Sequence, residues 1–285
     1  MKWFARREGS LPLGVDVGPE AVSVVASGLA GDGFMVRETA TLDVPPVDER
    51  ELDLRIAETL RRVVTGFQTR ERRCVLSAPA SEVVTRTFRL PPRMRRGEAE
   101  RAAALEADAL VDWPPSERLT ALDAIPGKSD EMLLSVARAS TIERLVAIAH
   151  AAGLRAVAVD APACAWRRAV PLADAVLDAT AERASLVIFG EPAGVAHSFA
   201  PRLIDERVAA SVRAAFVEAR RDGLADVQRL AILAPRDRYE SLEALLHHDG
   251  YAVGPVSLGG VDGPAWAFAY GLASWSVAPL GLVPQ

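Results

Sequence analysis

Two cysteines occur in the 285 residues, Cys74 and Cys164, far apart and without CxxC or any metal-ligand spacing. That scarcity excludes a disulfide framework and fits a reducing compartment. Nowhere do about 20 apolar residues run together, so no segment is expected to cross a bilayer. The opening MKWFARREGS is positively charged but has no apolar stretch behind it, so it is not read as a secretory signal. Histidine is also scarce. His150, His197, His247 and His248 share no helix face with a second ligand at i, i+4, and no metal is expected. Neither a P-loop nor a G-x-S-x-G elbow is present, and Ser81 in APASE has no base in recognisable context. A net charge of −5 gives no reason to expect nucleic acid or an anionic membrane as a partner.

What is there reads as an ordinary globular chain, 50% hydrophobic and 25% charged. Short apolar or alternating runs at 13–17, 22–26, 34–42, 73–78, 83–90, 119–125, 131–138 and 155–160 predict strands. Helical spacing predicts helices over 49–67, 98–110, 141–152 and 161–170. Thr141 is placed to cap the third of these and Gly153 to close it. Further on, strands are expected at 184–189 and 194–199 around the turn GEPAG, then at 229–233 and 251–256. Helices are expected over 205–222, 238–248 and 264–274. Strands and helices alternate, which is the α/β class. The strand–turn–strand of 13–26 recurs in kind at 184–199, so an internal duplication with a cleft between two lobes is expected.

Particular stretches then carry a resemblance. LPLGVDVGPEAVSVV is similar to the "GIDIG" strand and turn that opens proteins of the actin-like ATPase superfamily. CVLSAPASEVVTRTFRLPP, the helix containing ALEAD, WPPSERLTALDAI and LLSVARASTIERLVAIAHAAGLRAVAVDAPACAWRRA follow the order of the PilM family of type IV pilus assembly. That family is related in fold to the cell-division protein FtsA. The closing PAWAFAYGLA is similar to the family's last helix. The resemblance implies duplicated actin-like (ribonuclease H-like) α/β domains with an inserted FtsA/PilM-type subdomain. In this chain that gives a basic tail over 1–10, a first lobe from 11–72, an insert over 73–160, a return over 161–183, and a shortened second lobe over 184–285. Trp3 and Phe4 lie beside Lys2, Arg6 and Arg7 in the tail, a composition suited to a headgroup surface but too short to anchor alone.

Actin-like sites hold ATP phosphates on two hairpin turns, with an aspartate in each strand orienting Mg²⁺. By resemblance Asp16 and Gly18 belong to the first turn and Gly190 to the second, as remnants. Pro19 offers no N–H to a phosphate and Glu20 adds a repelling charge. Phe189 is expected at the second acidic position, and Ala234 and Pro235 where the family has a glycine pair, with Gly259, Gly260 and Gly263 arriving later. Gly18 and Gly190 are also expected to need positive φ in tight turns. The expectation is therefore a degenerate site with no cofactor and no catalytic residue, ATP with Mg²⁺ being the alternative. The resemblance further implies a scaffold at the cytoplasmic face of the inner membrane. Its partner would be a bitopic PilN-like protein whose N-terminal cytoplasmic tail docks as an extended peptide at the insert, with other pilus or secretion platform proteins beyond it. The rival expectation is an active ATPase or sugar-kinase-like enzyme of the same superfold.

Overall fold

The computed structural model describes residues 11–30, 33–89, 91, 94, 96–124, 131–180, 184–190, 194–199, 204–221, 226–258 and 261–275. The N-terminal tail, the turn 126–130, most of RMRR (93–96), Glu191, Gly259 and Gly260 lie outside the described residues.

The first sheet is built from β1 (Leu13–Val17), β2 (Ala21–Ala30) and β3 (Gly33–Asp43), followed by α1 (Glu49–Gly66) and β4 (Arg73–Ser77). A single 3-10 turn at Ala80–Glu82 then leads into β5 (Val83–Arg89), α2 (Arg96–Leu110), β6 (Arg118–Ala124) and β7 (Glu131–Arg138). After α3 (Ala139–Ala151), β8 (Arg155–Asp160) returns to the first sheet, whose order is β3-β2-β1-β4-β8. The first two pairings are antiparallel and the last two parallel. Next come α4 (Pro162–Ala169), β9 (Ala175–Asp178), β10 (Ser185–Phe189), β11 (Gly194–Ser198), α5 (Asp205–Arg221), β12 (Arg229–Leu233), α6 (Arg236–His247) and β13 (Ala252–Pro255). The small hairpin of β14 (Ser257–Leu258) and β15 (Val261–Asp262) precedes α7 (Ala267–Ala273).

The second sheet runs β11-β10-β9-β12-β13, the same order as the first with the same sequence of antiparallel and parallel neighbours. The duplication is therefore real, but its register differs from the expectation. The counterpart of β1 is β9, and the counterpart of the 13–26 hairpin is 175–189 rather than 184–199. Ala175-Val176-Leu177 is a short, wholly buried run with no alternation to betray a strand, so pattern reading passes over it.

The insert is also smaller than 73–160. Strands β4 and β8 belong to the first sheet, and α3 packs on α1 in the first lobe. What is inserted is the three-stranded sheet β5-β7-β6 with α2 against it, around Ala103, Ala107, Leu134 and Val136. Arg138, not Thr141, is the N-cap of α3, because the helix begins directly off β7 and its first turn is used as a corner. Gly153 and Gly250 end α3 and α6 at φ of 82° and 86°, where other residues would be strained.

Each sheet covers one face with its own helices. Leu13, Val15, Val24, Ile56, Leu60 and Leu145 pack together in the first lobe, and Leu186, Ile188, Val212, Phe216, Leu230 and Leu242 do so in the second. The inner faces are covered by exchange. Helix α4 follows the first sheet but buries Ala163 and Trp166 against Val176, Val187, Phe189 and Leu233 of the second. Helix α7 follows the second sheet but buries Ala269, Leu272 and Ala273 against Val25 and Val75 of the first. The two helices cross at Gly271, where a Cβ would lie 2.0 Å from the Ala165 carbonyl oxygen. At Gly14 of β1 a Cβ would lie 1.9 Å from the Ala269 carbonyl oxygen. Glycine is required at both points by close backbone approach.

Candidate functional site: an interlobe cleft and a neighbouring groove

The carboxyl end of β1 and that of β9 face one cleft, with a cavity volume of about 1330 Å³. Asp16 stands opposite Ser23 on β2, and Asp178 stands opposite Ser185 on β10. The two aspartates thus hold equivalent places in the two repeats, and both line the cleft. Asp178 is the site residue that the sequence reading missed. The signal was present in AVLDAT, whose apolar run ends in an aspartate as LGVDVG does.

Burial pushes the Asp16 carboxyl up to about 7, and the facing Asp178 charge adds to the rise against one hydrogen bond from the Val17 amide. The Asp178 carboxyl is raised by burial too, offset by hydrogen bonds from Thr180 and by the Arg238 charge. Thr180 donates both its N–H (3.1 Å) and its hydroxyl (2.6 Å) to Asp178 Oδ1. Arg238 braces that turn, donating to the Ala179 carbonyl at 2.9 Å and pairing with Asp205 at 3.0 Å. In the first turn, the Gly18 N–H donates to the Ala21 carbonyl at 2.9 Å, and Pro19 has no N–H. Amides that could have cradled an anion are therefore committed within the turns.

Charge in the cleft is one-sided. Glu20, Glu49, Asp53 and Glu82 join the two aspartates, and the sole cation among the described lining residues is Arg144. Its guanidinium is engaged by Asp53 across α1 and α3, with Nε 2.8 Å from Oδ1.

Of the sequence-expected site residues, Asp16 and Gly18 lie in the cleft wall. Gly18 does so without positive φ, because the β1–β2 turn closes through bends at Pro19 and Glu20 rather than through a left-handed residue. Gly190 does not join them. It follows Phe189 at the far end of β10, and five residues of strand put it roughly 17 Å from cleft-lining Ser185. Phe189 is correspondingly no acidic-position substitute but a core residue, with the Arg167 guanidinium 5.0 Å from its ring centroid. Pro235 caps α6 and Ala234 precedes it, while Gly263 (φ 61°) sits in the loop after β15 with its N–H on the Val256 carbonyl.

Behind the cleft lies a second cavity of about 390 Å³, between the insert and the first lobe. Leu119, Ala121 and Asp123 of β6 form one wall, and Ala158, Val159 and Asp160 of β8 the other. Leu133 and Cys164 form its floor. Strands β6 and β8 are each terminal in their sheets, so neither has a strand neighbour on its outer side among the described residues. Burial, with the Asp123 charge second, pushes the Cys164 thiol up to about 12, so it is a neutral packing group. Burial also raises the Asp123 carboxyl. Arg168 is 3% exposed; it pairs with Asp160 and donates from Nε to the Gly271 carbonyl at 2.7 Å, tying β8, α4 and α7 together beside the groove.

Against this geometry stand the known relatives. The family model for the type IV pilus assembly protein PilM matches residues 14–195. A solved PilM-PilN type IV pilus biogenesis complex aligns over 96% of this chain and 100% of that one, with TM-score 0.66 and 20% identity. The ethanolamine utilization protein EutJ of Carboxydothermus hydrogenoformans aligns over 94% and 90%, with TM-score 0.55 and 12% identity. The cytoplasmic domain of EpsL, an inner-membrane component of the type II secretion system of Vibrio cholerae, aligns over 80% and 83%, with TM-score 0.52 and 11% identity. The two-lobed architecture is thus the actin-like ATPase fold.

Proposed function

Because the chain belongs to the type IV pilus assembly protein PilM family, we propose that it is a cytoplasmic scaffold which binds the N-terminal tail of a PilN-like inner-membrane protein. The observation that carries this reading is the groove between the insert and the first lobe. An extended peptide there would find two terminal strands offering main-chain donors and acceptors, and an apolar floor for its side chains. Asp123, raised by burial, gains from a basic residue on such a peptide. None of the described helices is long and apolar enough to cross a membrane. In this reading the scaffold is held at the inner membrane by its partner, and other pilus or secretion platform proteins gather on it.

The cleft is proposed as a nucleotide site that has lost its ligand. The committed amides at Gly18 and Thr180, the missing N–H of Pro19 and the surplus of carboxylates all disfavour a polyphosphate. One observation favours the second reading, an active ATPase or sugar-kinase-like enzyme: Asp16 and Asp178 are both kept and face each other, as a Mg²⁺-binding pair would.

The test of the scaffold reading is calorimetry with a synthetic peptide of the cytoplasmic N-terminus of the PilN-like protein from the same organism. Saturable binding that is lost in Leu119→Asp is expected. Binding that ignores the groove substitution, or no binding with and without Mg·ATP, would overturn it.

A further inference from the structure

We infer that the groove beside the insert is occupied in cis by the chain's own residues 276–285, which a partner's tail must displace. This rests on the groove being a peptide site, the reading proposed above, and adds an internal competitor to it.

Trp275 is the last described residue, and its side chain is part of the groove wall. Its N–H is bonded to the Leu272 carbonyl at 3.1 Å, so the chain leaves α7 directly at the groove. The ten residues that follow read SVAPLGLVPQ. None carries a charge, and Val277, Leu280, Leu282 and Val283 supply apolar side chains at short intervals. Pro279 and Pro284 prevent α7 from continuing through the stretch and favour extended backbone. An extended run of that length spans about 33 Å, ample for a groove that its first residue already touches.

The groove matches this occupant in chemistry. Its described lining is mostly Ala, Val, Leu and Ile, and its one ion pair, Arg168 with Asp160, is satisfied internally. Leu119 is a large apolar side chain 48% exposed at the lip, on a strand with no outer neighbour among the described residues. An uncharged apolar segment covers that lip and can pair with β6 or β8, without the cost of burying a charge. Attachment one residue away gives it a high effective concentration, so weak intrinsic affinity suffices to fill the groove. A partner's tail carrying a basic residue has the advantage at Asp123, which the uncharged segment leaves unanswered.

Two measurements test the inference in the chain as it exists. In the first, Leu119→Cys is combined with Leu280→Cys in the full chain, and the yield of monomeric disulfide at micromolar protein is compared with that of Leu54→Cys combined with Leu280→Cys. Leu54 is exposed on α1, outside the groove. At least tenfold faster closure is expected for the groove pair, and equal rates overturn the inference. In the second, a synthetic peptide of residues 276–285 is titrated against the full chain and against a chain cut after Trp275, which keeps all of α7. The peptide should bind the cut chain and bind the full chain at least tenfold more weakly. Absent or equal binding overturns the inference. If the groove pair fails to close while the PilN-like peptide still binds, this inference falls and the scaffold reading stands. If the groove pair closes and the PilN-like peptide does not bind, the scaffold reading falls instead.

Discussion

Asp16 is the residue whose ionisation the fold disfavours most plainly. Its carboxyl rises from 3.8 to about 7, through burial first and the Asp178 charge second. Between these values the folded chain holds a proton that the unfolded chain has released, so stability from this group falls as pH rises from about 4 to about 7, and stays low above that. Asp16→Asn removes the effect. Thermal melts should show the variant more stable than the parent at pH 8, by a few kcal/mol at most, with the gap narrowing by about 1 kcal/mol at pH 6. A gap that widens toward pH 6 would contradict the assigned direction. Legibility at this scale was uneven. Asp16 was evident because it ends a strand next to a glycine. Asp178 was not, since its role depends on β9 lying beside β10, a pairing of chain segments that no local pattern encodes.

At the scale of elements, the crossing of α4 and α7 fixes how the lobes meet. Gly271→Ala drives a methyl group into the Ala165 carbonyl, and Gly14→Ala drives one into that of Ala269. Backbone cannot step aside as a side chain can, so each substitution should cost about 1–3 kcal/mol or more. For a chain of this size that lowers Tm by roughly 2–4 °C per kcal/mol. Gly97→Ala, near the exposed start of α2 with nothing within 4 Å of a Cβ, should leave Tm unchanged or slightly raised. Differential scanning calorimetry of the three variants checks the contrast, and equal effects would refute the close-packing account. Most elements here were readable from periodicity: α1 from Leu52, Ile56, Leu60 and Val63, and the β6–β7 pair from alternation. Packing was not readable. Pattern shows that α7 is apolar, but not that it turns back onto the first sheet.

At the scale of the whole molecule, the cleft and the groove stand on either side of one wall, with Ala78 and helix α4 contributing to both. The prediction here concerns the larger of the two. Mg·ATP at millimolar concentration should leave the thermal midpoint unmoved, because the turns spend their amides internally and the lining is acidic. A nucleotide at 100 times its Kd would add about 2.7 kcal/mol, a shift of several degrees. Such a shift would favour the ATPase reading and make the facing aspartates a working pair. The exchange of helices between lobes has one more consequence, which concerns synthesis on the ribosome. The inner face of the first sheet, with Val25 and Val75, is covered by α7, which emerges only after every strand of both sheets. Until then the nascent first lobe carries an uncovered apolar surface of the kind that invites aggregation or chaperone binding. The N-terminal half of this chain must therefore wait for translation to reach its last described helix before it can close.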